Sequence, residues 1–379
     1  MTPIWKAVHR VLDLNWNEQG GYTAPNPDVY PWRWLWDSCF HALLWSRLRP
    51  ERALQELEAV FSPQDGVTGF IPHVHYVGDP GFDRTLWGQE SVSTITQPPM
   101  YGHAIRSMSE DGLDVPEGLL SAALRGIDFF IQRRTHQGLI VALHPWETGC
   151  DDSPRWDSWV HSPYTRHGFA LVKGRLVGAL RLDGGMAVDS DLFRVGSVAL
   201  TALVAFNALE LARVTGDTGL AAAAAALIDG LEAQWDEGRG MWVDGGPDPR
   251  PSGKASTLEA FLPLLVDDSH WDRARTIILD RARFDSPFGP RQVDASRDDY
   301  RSDGYWRGAA WPQLNYLFWV AARRHGDSEW ASRLAETTLA GATTSGWSEY
   351  WDPETGIGHG ASPQSWSGLA ALMADETRG

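Results

Sequence analysis

Residues 116–134 read PEGLLSAALRGIDFFIQRR. Within that stretch Leu120, Leu124, Ile127 and Ile131 recur at steps of three and four, which puts them on one side of a helix and predicts that this side is buried. Pro116 and Glu117 suit its first turn. The same spacing predicts helices near 3–16, 37–47, 50–60, 98–109, 191–214, 217–235, 255–265, 269–282, 307–324, 327–343 and 363–375. Asp217 opens one of them, and Gly216 and Gly326 sit where others should end. Strand signals are sparse, with short β-prone pieces at 139–143, around 168–182 and near 241–243, each beside glycine-containing turns. A dozen helices alternating with long Trp- and Pro-rich loops suit an all-α fold: an α/α toroid in which helix hairpins close into a ring, with short β-hairpins in its loops. An α-solenoid competes, but no fixed-period motif supports it.

The chain has 379 residues, 43% hydrophobic and 22% charged, enough for a substantial core and no sign of disorder. No linker divides it, so a single domain over 1–379 is expected, with 244–254 read as a loop and Ala221 to Ala226 simply as a good helix former. With 49 acidic against 33 basic residues the net charge is -16, which repels phosphate backbones and anionic lipid; nucleic acid and membrane are poor partners. Cys39 and Cys150 are too few for a disulfide scaffold, and no Cys/His cluster has zinc-like spacing, so no metal site and no cofactor are expected. The start, MTPIWKAVHRVLDLNW, lacks the apolar run of a signal peptide, and Val195 to Leu211 is broken by Ser197, Thr201 and Asn207. A cytoplasmic location follows as the expectation.

The 20 tryptophans are the compositional anomaly. Core packing accounts for part of them; the rest can form flat walls against a ligand ring. They concentrate where helix periodicity lapses, in 30–40 (YPWRWLWDSCF), 144–156 (HPWETGCDDSPRW), 305–316 (YWRGAAWPQLNY) and 347–366 (WSEYWDPETGIGHGASPQSW), with smaller loops at 69–76 and 97–101. Carboxylates among tryptophans and glycines lose solvent, which raises their pKa and can hold one protonated at neutral pH. A second carboxylate across a pocket would complete the pair needed to protonate a leaving oxygen and activate water.

The words WDSCFHA (36–42), GFIPH (69–73), QPP (97–99), ETGCDDSPRW (147–156), YWRGAAW (305–311) and EYWDPETGIG (349–358) run in an order that resembles glycoside hydrolase family 63, over roughly residues 30–370. The resemblance implies an (α/α)6 toroid and an inverting hydrolase of a small α-glucoside or α-mannoside. It implies Asp151 as general acid, with Asp152 as rival, and Glu349 as general base, Glu354 lying in the turn that follows. Inversion would need a water beside Glu349 and carboxylates roughly 6.5–9.5 Å apart. Sugar-binding roles are implied for Trp36, Asp37, Gln97, Trp146, Gly149, Trp306, Arg307 and Trp311, although Arg307 could instead hold a loop by pairing with a carboxylate.

Each residue also has a plainer reading. Asp151 could cap a helix, Asp37 could cap the one starting at Ser38, and Glu349 could be a solvated loop charge. His73, His75 and His144 suit structural hydrogen bonds better than a metal, and the two cysteines suit buried fillers. The compact form is similar to hydrolases of glucosylglycerate and mannosylglycerate, in which tyrosines and a glutamine clasp the glycerate; Tyr30, Tyr305 and Gln364 occupy similar places. A carboxylate-bearing aglycone needs a cation, with Arg166, His167 and Lys173 as candidates in a loop/β-hairpin insertion at 157–190. Trehalase-like or oligosaccharide α-glucosidase activity is the close alternative, and a sugar epimerase or noncatalytic sugar-binding protein on the same toroid the distant one.

Overall fold

The computed structural model describes residues 1–78, 82–159, 164–248 and 250–376, and it is a helical protein. Its α-helices are α1 (Pro3–Asn15), α2 (Leu35–Ser46), α3 (Pro50–Phe61), α4 (Phe82–Trp87), α5 (Tyr101–Glu110), α6 (Glu117–Arg133), α7 (Arg166–Val177), α8 (Val198–Thr215), α9 (Thr218–Glu232), α10 (Trp271–Ile278), α11 (Pro312–His325), α12 (Ser328–Thr344) and α13 (Leu369–Glu376). The decisive stretch forms α6 as expected, with its buried side turned slightly from the predicted one. Leu119, Ala123, Ile127 and Phe130 are fully buried, while Leu120, Leu124 and Ile131 pack half-buried at the edge of the core.

Three expectations change. The piece around 168–182 begins as helix α7, with a hairpin of Leu180–Asp183 on Met186–Ser190 after it, so the 157–190 insertion carries a helix as well as a hairpin; its residues 160–163 lie outside the described residues. The helix expected from 191 starts at Val198 because Val195 and Gly196 pair with Ala142 and Val141 as strand, after which the Ser197 hydroxyl caps the N–H of Leu200. The helix expected at 255–265 is a run of 3-10 turns, Leu258–Leu265, interrupted by Pro263, which has no N–H to give an α-helical ladder. The pieces at 139–143 and 241–243 do form short strands, Leu139–Ala142 and Met241–Trp242.

Helices pair with their chain neighbours, α2 with α3, α8 with α9 and α11 with α12. A second series runs across these pairs: α2 touches α5, α5 touches α8, α8 touches 258–265, that segment touches α11, α11 touches α13, and α13 touches α2. α8 is long and apolar enough to cross a membrane by length and composition, yet 78% of it is buried inside the protein, as befits a core helix.

The series has two chemically different ends. At the C-terminal ends of α2, α8 and α11 sit Arg47, Arg213, Arg323 and Arg324, the sign that complements helix C-termini, with Arg106 from the middle of α5 nearby, and these arginines are ion-paired with Asp111, Glu110, Glu210 and Glu376. At the N-terminal ends lie the tryptophan-rich loops.

Candidate active site

Those loops enclose a cavity of about 70 Å3. Tyr30, Trp36, Asp37, Gln97, Gly149, Asp151, Tyr305, Trp306, Glu349 and Gln364 all line it. So do Pro25, Trp34 and Trp366, which the sequence reading passed over although two of them stand inside quoted words. Trp146 lines a neighbouring cavity instead. Trp311 is stacked behind Trp306, with ring centroids 3.8 Å apart and 6° between planes, and Tyr350 stacks at 4.6 Å from Trp311. Arg307 is turned away: both of its terminal nitrogens donate to Asp157, at 2.9 and 2.6 Å, and its guanidinium lies over the Tyr164 ring, so it takes the loop-holding role.

Around Asp151 the chain is fixed residue by residue. Glu147, fully buried, receives both terminal nitrogens of Arg134 at 3.0 and 2.8 Å and the N–H of Leu143 at 2.7 Å. Asp152 pairs with the Lys173 ammonium and accepts from the Tyr164 hydroxyl at 3.0 Å. Ser153 donates to Glu259 at 2.6 Å, Arg155 pairs with Asp244, and the Trp156 indole donates to the carbonyl of Cys150 at 2.8 Å. Gly149 has φ +73°, and a Cβ there would stand 2.5 Å from the Trp36 ring, so the turn before Asp151 needs glycine both for its backbone and for space. Asp151 itself accepts from the Tyr305 hydroxyl, at 3.1 Å.

Glu349 is held from the other side. Its Oε2 accepts the N–H of Ala361 at 2.9 Å, and the Tyr30 hydroxyl lies 3.2 Å from Oε1. The Trp366 indole donates to its carbonyl at 3.0 Å, fixing the backbone. Trp306, on the cavity wall, has φ +54°, a left-handed conformation that costs a bulky residue roughly 1–2 kcal/mol. The Gln364 Oε1 is buried without a hydrogen-bond partner among the described residues, an acceptor available to a ligand hydroxyl.

Three carboxyl groups share this space. Burial lifts Asp151 to about 6, with Lys173 opposing the rise, and lifts Glu349 to about 7, with the Ala361 N–H and the Tyr30 hydroxyl opposing it. Asp37, in the first turn of α2, is pushed well above the usual carboxylate range by burial and by the charges of Glu349 and Asp151. The site is therefore poised to keep at least one carboxyl protonated near neutrality.

Of the candidate cations, Lys173 is committed to Asp152, and Arg166 lies 5.0 Å over the Tyr305 ring. His167 is exposed. His73 meets the Ser93 hydroxyl at 2.6 Å, and His144 accepts from the Trp146 N–H at 3.1 Å, which are structural hydrogen bonds. No group of three or more His, Cys, Asp or Glu among the described residues could hold a metal. Cys39 and Cys150 are buried, and burial pushes both thiols well up, so neither is a thiolate.

Buried carboxyls of raised pKa inside an indole-walled cavity on a helical scaffold are the equipment of a glycoside hydrolase. The family described as mannosylglycerate hydrolase MGH1-like glycoside hydrolase domain matches residues 30–367. The chain belongs to this family, within glycoside hydrolase family 63, and it is a glycoside hydrolase. It is 30% identical to a mannosylglycerate hydrolase from Thermus thermophilus over 95% of this chain and 98% of that protein. It is 29% identical to a glucosylglycerate hydrolase from Mycolicibacterium hassiacum over 98% of each. A solved structure of the GH63 mannosylglycerate hydrolase from Thermus thermophilus with Tris and D-glycerate superposes with a TM-score of 0.83 at 26% identity, covering 98% of this chain and 99% of that one.

Proposed function

We propose that this glycoside hydrolase is an inverting α-glycosidase of a small α-mannoside or α-glucoside, with Asp151 as general acid and Glu349 as general base. The observation that carries the reading is that two carboxyls far apart in sequence line one tryptophan-walled cavity, each within range of the other's charge. In the reaction, water oxygen bonds to the anomeric carbon as its proton passes to Glu349. The bond from that carbon to the aglycone oxygen breaks, and the Asp151 proton goes to that oxygen.

Titration alone would leave a shared proton on Glu349, the higher of the two. Position carries the assignment instead: Asp151 also borders the neighbouring cavity, and Glu349 does not, so the leaving group departs on the Asp151 side. Trp36, Trp306 and Trp366 supply flat faces for the sugar, and Asp37, Gln97 and Gln364 its hydroxyl partners. The names of the relatives, hydrolases of mannosylglycerate and glucosylglycerate, support a mannosyl or glucosyl unit. The scaffold reads as a single (α/α)6 toroid, a reading supported by the inner series from α2 through α13 back to α2 and by α3, α6, α9, α10, α12 and α1 packing outside it.

The test is hydrolysis of mannosylglycerate, glucosylglycerate, trehalose, nigerose and kojibiose, followed by NMR of the first-formed anomer. A β-sugar from an α-linked substrate is expected. An α-anomer formed first would rule out inversion, and no turnover of any α-glycoside would sink the reading.

A further inference from the structure

Tyr164 owes its place to the start of a helix. The Thr165 side chain caps α7 by accepting the N–H of Gly168 at 3.0 Å. The residue before such a cap commonly packs against the fourth residue of the helix, which fixes the angle at which the chain enters. Here those two are Tyr164 and Phe169, with ring centroids 5.6 Å apart and Phe169 buried. The position of Tyr164 is thus set within the 157–190 insertion, outside all six words of the family resemblance.

From that position the half-buried tyrosine touches two loops of the active site. Its hydroxyl donates to Oδ2 of Asp152 at 3.0 Å, while the Lys173 ammonium takes Oδ1 of the same carboxylate. Its ring lies against the Arg307 guanidinium, 3.8 Å from the centroid, and that guanidinium is held by Asp157. Asp152 follows Asp151 in the chain, and Arg307 stands two residues after Tyr305, whose hydroxyl donates to Oδ2 of Asp151 at 3.1 Å. The contacts close a circuit from Asp151 through Asp152, Tyr164, Arg307 and Tyr305 back to Asp151. Tyr164 is the link between the two loops, and it does not line the sugar cavity.

The circuit bears on the direction of a proton. A protonated carboxyl presents one O–H and one acceptor oxygen. With Tyr305 donating to Oδ2, the proton of Asp151 belongs on Oδ1, and where Oδ1 points depends on how the 151–152 loop sits against the 305–307 loop. A general acid works only with its proton in hydrogen-bond reach of the leaving oxygen, so a slip between these loops costs rate with little effect on binding. Burial and the Asp152 charge push the Tyr164 phenol well above its ordinary pKa, which keeps it a donor.

We propose that Tyr164 is a positioning residue for the acid step: by tying the Asp152 loop to the Arg307 loop it holds Asp151 and Tyr305 in register, with the Asp151 proton on Oδ1 and directed at the leaving oxygen. The inference rests on the assignment of Asp151 as general acid.

The experiment is Tyr164→Phe, which keeps the ring, and with it the helix start and the Arg307 contact, and removes the hydrogen bond alone. Kinetics are compared on the α-glycoside of the panel above that the wild type hydrolyses best, whose alkoxide must be protonated, and on the α-fluoride of the same sugar, whose fluoride leaves without a proton. For the glycoside kcat is expected to fall about tenfold with KM little changed, and for the fluoride kcat should stay within about twofold. The limbs of the pH profile should keep their places as its height falls, because no charge is removed. Equal losses on both substrates, or full activity on the glycoside, would overturn the inference and leave the glycosidase reading intact. Asp151→Asn, run alongside, should lose the glycoside and keep the fluoride; if it loses both or neither, the acid assignment falls and the inference with it.

Discussion

Lys173 places its ammonium against the carboxylate of Asp152, the chain neighbour of Asp151. The pairing separates two adjacent acids by task. Asp152 is an anchored anion with a cation and a tyrosine hydroxyl as partners, whereas Asp151 keeps a carboxyl raised by burial and faces the cavity.

Lys173→Met should leave the buried Asp152 charge unmatched and cost about 3–5 kcal/mol of stability. The double variant Lys173→Met/Asp152→Asn should recover most of that loss. Urea midpoints of the three proteins check this; a single variant as stable as wild type would mean that the pair contributes nothing.

Asp151→Asn and Glu349→Gln should each lower kcat by several orders of magnitude while mannose or glucose still binds, because the isosteric amides keep the cavity's shape and remove only proton transfer. Steady-state kinetics and sugar titration by calorimetry separate the two effects. Ordinary turnover in either variant would remove that residue from the mechanism.

The pH profile of kcat/KM should be a narrow bell. The productive state carries one proton between Asp151, lifted to about 6, and Glu349, lifted to about 7, so activity falls below this window as both are protonated and above it as both ionise. A profile flat to pH 9 would contradict the assignment.

Stability should fall as pH rises through the Glu349 transition. Its folded pKa, about 7, lies above the ordinary 4.5, so the folded state holds a proton that the unfolded chain has released. That contribution is complete below pH 4.5 and is lost as pH rises through 7, on the order of 3 kcal/mol for a shift of this size. Glu349→Gln is therefore expected to melt several degrees above wild type at pH 8 and level with it at pH 4. Equal melting temperatures at pH 8 would show that the carboxyl ionises freely in the folded protein.

Gly149→Ala should lower both melting temperature and kcat/KM, the latter by about tenfold or more, since φ +73° strains an L side chain and the new methyl meets Trp36. Crystallography or near-ultraviolet circular dichroism would detect the displaced indole. Full activity would mean that the Trp36 ring has room to retreat.

The helices were legible where apolar spacing was uninterrupted, as in α6 and α9, and least legible in α7. That helix buries Phe169, Lys173 and Leu176, a stripe at helical spacing whose middle member is a lysine, and two glycines weaken it further. Only the distant Asp152 makes burial of that lysine tolerable, and no local pattern announces such a partner. Within the site, the words around Asp151 and Glu349 lead to the cavity. Trp146 and Trp311 show where word-matching stops: residues in the same loop can face the next chamber or stand behind the wall, a choice made by packing across the chain. Pro25 carries no signal in its own sequence.

The anchoring of every neighbour of Asp151 has a kinetic consequence. A carboxyl whose flanking residues are each tied to a different part of the scaffold is in place once the chain has folded, and substrate arrival has nothing left to assemble on that side. Turnover should then be indifferent to solvent viscosity as far as the proton donor is concerned, and any viscosity dependence belongs to the opposite rim, where Tyr30 and Arg166 cover Glu349 and Tyr305.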